Sequence, residues 1–177
     1  MRRGQSADQV PLERLIGPTV VVDVSKSAAS NRDYQISIAD LQVWEKKYAQ
    51  KLNDVIVLLR TGFSRHWPDR KKYLGTAELG QGAVKKLRFP GLKPSAAEWL
   101  AKNRRVKAIG IDTASIDYGQ SQKFGSHVAL FRQDIPVLEN VANLHKLPVK
   151  GFDLIALPMK IRGGSGGPTR IIAVLRK

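Results

Sequence analysis

The stretch VKAIGIDTASIDYG (residues 106–119) decides the fold. Its first half is rich in β-branched and aliphatic residues and reads as a buried strand. Its second half places Asp112, Thr113, Ser115 and Asp117 straight after that strand. In open α/β sheets ligands bind outside the carboxyl ends of strands, so this turn is a candidate substrate pocket. Taken alone, Asp and Thr here simply cap a strand-to-loop turn, and on local evidence that reading comes first.

Four further segments resemble the first half: TVVVDVS (19–25), DVIVLLRT (54–61), FDLIALPMKI (152–161) and RIIAVLRK (170–177). Helical patterns lie between them. In SIADLQVWEKKYAQKL (37–52), Ser37 and Asp40 form a capping-box arrangement, and Ile38, Leu41, Trp44, Tyr48 and Leu52 recur at helical spacing as a core stripe. Ser95 and Glu98 repeat the device in SAAEWLAKN (95–103). A third helix is predicted over IPVLENVANLHKL (135–147), with Pro136 at its first position and Leu138, Val141 and Leu144 packing. Strand–helix–strand alternation predicts an α/β domain with a mixed, largely parallel sheet, as one domain over residues 1–177. Two long stretches, 62–91 and 117–131, read as irregular loops, which in compact domains usually carry function. The glycine-rich RGGSGGPTR (162–170) reads as a tight turn or a backbone approach to a ligand; it lacks the Lys and Ser/Thr of a P-loop.

Composition narrows the classes. At 177 residues, 42% hydrophobic and 25% charged, the chain is expected to be soluble and globular. No apolar run approaches the length of a membrane span, and MRRGQ (1–5) lacks the apolar stretch of a secretory leader, so a cytoplasmic location is expected. Cysteine is absent, which excludes disulfides and thiolate chemistry. A net charge of +15 invites a nucleic-acid partner, with clusters at 70–72, 85–88 and 104–107. These charges are spread over several segments, and no RNA-binding motif accompanies them.

Of the three histidines, His66 reads as a loop residue and His145 as a helix-face residue. His127 and Glu139 stand twelve positions apart in SHVALFRQDIPVLEN (126–140). An imidazole and a carboxylate suit zinc or manganese, yet two ligands are fewer than a catalytic site normally draws from the protein. Ser126 adjoins His127, but no G-x-S-x-G elbow surrounds it. From the residues alone the pair reads as structure before it reads as a metal site.

Five motifs in order change that balance: DQVPLERLIGPTVVVDVS, VLLRTGFSRHW, AIGIDTASIDYG, SHVALFRQDIPVLENVANL and GGSGGPTRIIAV. Together they resemble the cyclase-type metal-dependent hydrolases, the family of bacterial kynurenine formamidase and isatin hydrolase. The resemblance implies a swivelling β/β/α fold, assembly as a dimer or larger homo-oligomer, and hydrolysis of an N-formyl aryl amine or cyclic amide, as in the conversion of N-formylkynurenine to kynurenine and formate. It implies His127 and Glu139 as ligands to a divalent metal, zinc or manganese, and the turn from Asp112 to Asp117 as the pocket floor. The family also carries an H-x-G-T-H-x-D-x-P-x-H motif just before the region matching Asp8, which is absent here. The chain is therefore expected to be short at its N-terminus relative to the family, through an incomplete reading frame, a shortened isoform or a non-catalytic relative. A partner chain donating the missing ligands is a further route. Weak metal binding and impaired turnover follow, and an exposed sheet edge would favour association. The alternative is a non-catalytic basic protein on the same fold that binds RNA or an acidic partner.

Overall fold

The computed structural model describes residues 4–176. Arg2 and Arg3 of the segment tested as a leader, and Lys177 of the last predicted strand, lie outside them. The strands are β1 (Ile16–Asp23), β2 (Gln35–Ile36), β3 (Ile56–Arg60), β4 (Gly91–Leu92), β5 (Ala108–Ile111), β6 (Val137–Leu138), β7 (Phe152–Pro158) and β8 (Thr169–Leu175). The helices are α1 (Leu12–Leu15), α2 (Ser25–Ser30), α3 (Ile38–Tyr48), α4 (Arg70–Leu74), α5 (Pro94–Asn103) and α6 (Gly125–Phe131). Six strands form one sheet in the order β6-β5-β3-β1-β7-β8, parallel from β6 to β1 and antiparallel beyond. The expected mixed, largely parallel α/β sheet is what the chain adopts. Strands β2 and β4 pair in parallel apart from it.

Both faces of the sheet's centre are covered, which is why β1, β3 and β5 read as unbroken apolar runs. Val20, Val22, Val57, Leu59, Ile109 and Ile111 pack beneath Leu41, Trp44, Leu100 and Leu130 of the helical layer. Val21, Ile56, Leu58 and Ala108 meet Leu138, Val141, Leu144 and Phe152 on the other side. Each fully buried Leu or Ile contributes about 1.5–3 kcal/mol against exposure.

The capping box at the start of α3 is present: Ser37 Oγ accepts from Asp40 N–H (3.3 Å) and Asp40 Oδ2 accepts from Ser37 N–H (2.7 Å). Trp44 Nε1 then donates to the Val21 carbonyl (2.8 Å), fastening α3 to β1. A second clasp is Arg104, whose Nε and Nη2 each lie 2.6 Å from a Glu45 oxygen, joining the end of α5 to α3. The Arg104 hydrogen bond holds the Glu45 carboxyl below its usual range, against the opposing effect of burial. A depressed carboxylate contributes stability above its unfolded pKa and loses it as pH falls. Glu45→Gln is therefore expected to lower stability by about 1.5–3 kcal/mol at neutral pH. Urea denaturation should show that gap closing as pH falls below about 4.

Three expectations need correction. Residues 135–147 are not a helix. Val137 and Leu138 pair with Ile109 and Gly110 of β5, and the left-handed backbone of Asn140 (φ 56°) and Asn143 (φ 61°) stops any helix. Leu138, Val141 and Leu144 still reach one core, because a strand end, a turn and a 3₁₀ turn can deliver the three-residue spacing that a helix would. Residues 125–131 and 70–74, both read as loop, form α6 and α4. Ser95 caps nothing: α5 starts with Pro94 at its first turn, and its N-cap Lys93 offers no side-chain hydrogen bond.

The glycine-rich 162–170 connects β7 to β8, and its backbone approaches the chain's own N-terminal segment. Gly163 N–H donates to Asp8 Oδ1 (3.0 Å) and Ala7 N–H donates to the Gly164 carbonyl (2.8 Å). The register of β7 on β8 puts Asp153, Ile155, Leu157, Arg170, Ile172 and Val174 on one face, where Leu157, Ile172 and Val174 are exposed. Much of the basic charge is spent locally: Lys72, Lys86, Arg88, Arg104 and Arg105 each form an ion pair. Among the described residues no helix is long and apolar enough to cross a membrane.

Candidate functional site

At the carboxyl end of β5 the chain turns through Asp112 and Thr113, both buried. Asp112 Oδ1 accepts from the Thr61 N–H (2.7 Å) and hydroxyl (2.6 Å), and Oδ2 accepts from the Gly62 N–H (2.8 Å). These bonds tie the ends of β3 and β5 together. Burial raises the Asp112 pKa, and the three hydrogen bonds only partly offset it. Thr113 donates its hydroxyl to the Ser115 carbonyl (2.9 Å), and Ser115 Oγ accepts from Asp117 N–H (3.2 Å). Each link sets the direction of the next, so the turn delivers Asp117 to one defined place.

Asp117 is 1% exposed and has two duties. It accepts from the N–H groups of Ser126 (2.9 Å) and His127 (3.1 Å), which caps α6 from across the loop where the left-handed Phe124 gives no side-chain cap. Its Oδ2 also lies 2.7 Å from His127 Nδ1. The other ring nitrogen, Nε2, lies 3.1 Å from Glu139 Oε1. Glu139 follows the edge strand β6 and is steadied by Ile116 N–H, which donates to the same oxygen (2.8 Å). The imidazole therefore sits between two carboxylates, with the rings of Phe124 and Phe131 edge-on to it. The bond with Asp117, then that with Glu139, raises the His127 pKa to about 9 in spite of partial burial. Burial pushes the Asp117 carboxyl up, but its bonds with His127 and the two N–H groups outweigh that and hold it below the usual range.

Tyr73 closes the side of the site. Its hydroxyl lies 2.9 Å from Asn140 Oδ1 and 3.3 Å from the Asp112 carbonyl. Burial, then the charges of Asp112 and Glu139, pushes its phenol well above the ordinary value. Asn140 N–H in turn donates to the Thr113 carbonyl (2.8 Å).

The structure thus brings together His127, Glu139, Asp112, Thr113, Ser115 and Asp117, all named from sequence. His66 and His145 stand in separate 3₁₀ turns, Phe63–His66 and Leu144–Lys146. Sequence reasoning missed Tyr73, Asn140 and Thr61, which lie far along the chain from the turn they brace; nothing local marked them. It also gave Asp117 only a pocket role, although its ten-residue separation from His127 compares with the twelve to Glu139.

A histidine whose Nδ1 is pinned by a carboxylate presents Nε2 as its ligand atom. Glu139 supplies a second donor beside it. Asp117 faces Nδ1 and so is not a third, and among the described residues no group of three or more His, Asp or Glu could hold a metal ion. Catalytic zinc sites take three protein ligands, so the described residues do not by themselves fit a catalytic metal centre.

The family model described as "Putative cyclase" matches residues 1–118. The chain is 32% identical over 174 residues to the isatin hydrolase of Roseibium aggregatum, covering 96% of this chain and 64% of that protein. It is 33% identical over 177 residues to the kynurenine formamidase of Salinibacter ruber, covering 99% and 69%. It superposes on isatin hydrolase A from Ralstonia solanacearum with a TM-score of 0.88 and 31% identity, covering 99% of this chain and 66% of that one. The chain spans about two thirds of the length of these relatives, 64% in the first case. With a family-model match over residues 1–118 and relatives above 30% identity along nearly its whole length, the chain belongs to the cyclase family.

Proposed function

We propose that this protein serves metal-dependent amide hydrolysis of an N-formyl aryl amine or a cyclic amide, the arylformamidase type of reaction. The observation that carries the reading is His127 held through Nδ1 by buried Asp117, with Nε2 turned to Glu139. In this reading His127 and Glu139 contribute two donors to a divalent ion, zinc or manganese. Asp117 fixes the imidazole so that Nε2 is the ligand atom, and the turn through Asp112, Thr113 and Ser115 forms the pocket floor as part of one domain. The names of the isatin hydrolase and kynurenine formamidase relatives support the substrate class. The exposed apolar side chains of Leu157, Ile172 and Val174, which share a face of β7 and β8 with Asp153 and Arg170, support assembly into a homo-oligomer.

With two donors the chain alone is expected to hold zinc or manganese weakly and to turn over N-formylkynurenine or isatin little above the uncatalysed rate. Dialysis against chelator, metal reloading and elemental analysis, followed by absorbance assays of both substrates, test this. His127→Ala should abolish the residual metal uptake. Near-stoichiometric metal with vigorous turnover would overturn the weak-site reading. Metal uptake unchanged by His127→Ala would overturn the ligand assignment.

A further inference from the structure

Apart from the His127 cluster, a cavity of about 420 Å³ opens at the carboxyl ends of β1 and β3, lined by Lys26, Arg60, Gly62, Arg65, Asp112 and His145 among others. That volume is within the range of small-molecule sites. Its walls are basic. Arg60 spends one Nη on Asp23 (2.6 Å), but its Nε is buried with no hydrogen-bond partner among the described residues. The Arg60 side chain is 30% exposed, so its guanidinium reaches the cavity, and the unspent Nε–H leaves a donor for an acceptor bound there. Among the described residues neither Lys26 nor Arg65 is in an ion pair, while Lys72, Lys86, Arg88, Arg104 and Arg105 are; Arg65 spends its Nε on His66 Nε2 (3.4 Å), which leaves its two Nη groups. Arg65 curls back over the left-handed Gly62 (φ 81°), where a Cβ would come within 3.9 Å of its guanidinium.

The one carboxylate on the wall does not neutralise this set. Both Asp112 oxygens are engaged by Thr61 and Gly62, and among the described residues neither oxygen pairs with Lys26, Arg60 or Arg65. The neighbouring His66 is shifted down, by burial first and then by the charges of Arg65, Arg32 and Lys72, as a positive local potential requires. The same bonds choose the kind of anion. Phosphate sites on such turns draw on free backbone N–H groups, and here those of Thr61 and Gly62 are spent on Asp112. What remains is side-chain donors with a guanidinium fork, which fits carboxylate and phosphate alike, so the preference for a carboxylate rests on the spent backbone N–H groups.

We propose that the cavity bounded by Lys26, Arg60 and Arg65 binds a small organic carboxylate, with the anionic group seated against the Arg60 and Arg65 guanidinium groups. The cavity shares Asp112 with the pocket floor proposed above but contains neither His127 nor Glu139; its test needs neither metal nor turnover, so its failure is distinguishable from failure of the hydrolase reading. Isothermal titration of the chelator-treated chain with benzoate at low ionic strength should show saturable binding. Arg65→Ala and Lys26→Ala, both at exposed positions, should each weaken it on the order of tenfold. Lys102→Ala on α5 should leave it unchanged, and circular dichroism should show each variant folded. Benzamide, the neutral isostere, should not bind, and inorganic phosphate should bind at least about tenfold more weakly than benzoate. Absence of benzoate binding would overturn the proposal, as would equal affinity for phosphate or benzamide. Undiminished affinity in Arg65→Ala and Lys26→Ala would also overturn it.

Discussion

A methyl group added at Gly91 is expected to destabilise the protein by about 3 kcal/mol or more, at or beyond the upper end of ordinary overpacking. Gly91 opens β4, and a Cβ there would fall inside the backbone of Asp117 and Tyr118. No rotamer change relieves a clash with backbone, so one of the two chains must move. Gly119 makes the reciprocal approach, where a Cβ would lie 2.8 Å from the Leu87 carbonyl carbon. Two backbones are thus laid directly on each other, and hydrogen bonds lock them: Leu92 N–H to the Ile116 carbonyl (2.7 Å) and Gly119 N–H to the Phe89 carbonyl (3.0 Å). The Leu92 carbonyl also accepts from Ser126 Oγ (2.6 Å), so β4 touches both ends of the loop that carries Asp117 and His127. Gly91→Ala should therefore lower the urea midpoint and, in whatever fraction folds, pull the His127 pKa down from about 9 as Asp117 is displaced. An unchanged midpoint would mean that β4 is not the platform of the site.

How far the sequence announces this arrangement depends on the range of the interactions. The strands were legible because burial on both faces demands unbroken apolar runs, as in IVLLR of β3 and AIGI of β5. The start of α3 was legible because a capping box is complete within four residues. The 135–147 segment misled because Leu138, Val141 and Leu144 satisfy helical spacing while Asn140 and Asn143 take left-handed backbone that periodicity does not register. Helix α6 was missed because its N-terminus is capped by Asp117, nine positions before Ser126, and a local reading looks for the cap beside the helix. His127 and Glu139 were legible as a pair only through the family motif. That Asp117 governs His127, and that Tyr73 and Asn140 brace the turn, depends on contacts no spacing rule encodes. The basic cavity is of the same kind, since Lys26, Arg60 and Arg65 come from α2, the end of β3 and the 3₁₀ turn Phe63–His66.

The second large effect is expected at Asp117. Asp117→Ala removes the acceptor of two α6 N–H groups and the counter-charge of His127 at once, in a position 1% exposed. Breaking one side of a buried, hydrogen-bonded pair costs up to about 3–5 kcal/mol; here His127 loses its nearer partner and keeps only Glu139, at 3.1 Å. Asp117→Asn separates the two contributions: the amide oxygen can still accept from an α6 N–H, but the charge is gone. In both variants the His127 pKa should fall from about 9 toward about 6.5, read by the ring proton shifts in an NMR titration. The pH dependence of stability carries the same signature, with a fixed sign. A histidine whose folded pKa lies above its unfolded one adds stability that is fully present below about 6.5 and is lost as pH rises to about 9. Asp117, held below its ordinary value, acts oppositely and loses its contribution as pH falls through the acid range. The metal-free protein should thus lose roughly 2–4 kcal/mol between pH 6 and pH 9.5. Asp117→Asn should be much flatter over that interval, with only the Glu139 contact still acting on His127. A parent protein whose urea midpoint does not decline above pH 7 would show that His127 is not charged between these two carboxylates, and the ligand geometry inferred from its pinned Nδ1 would fail with it.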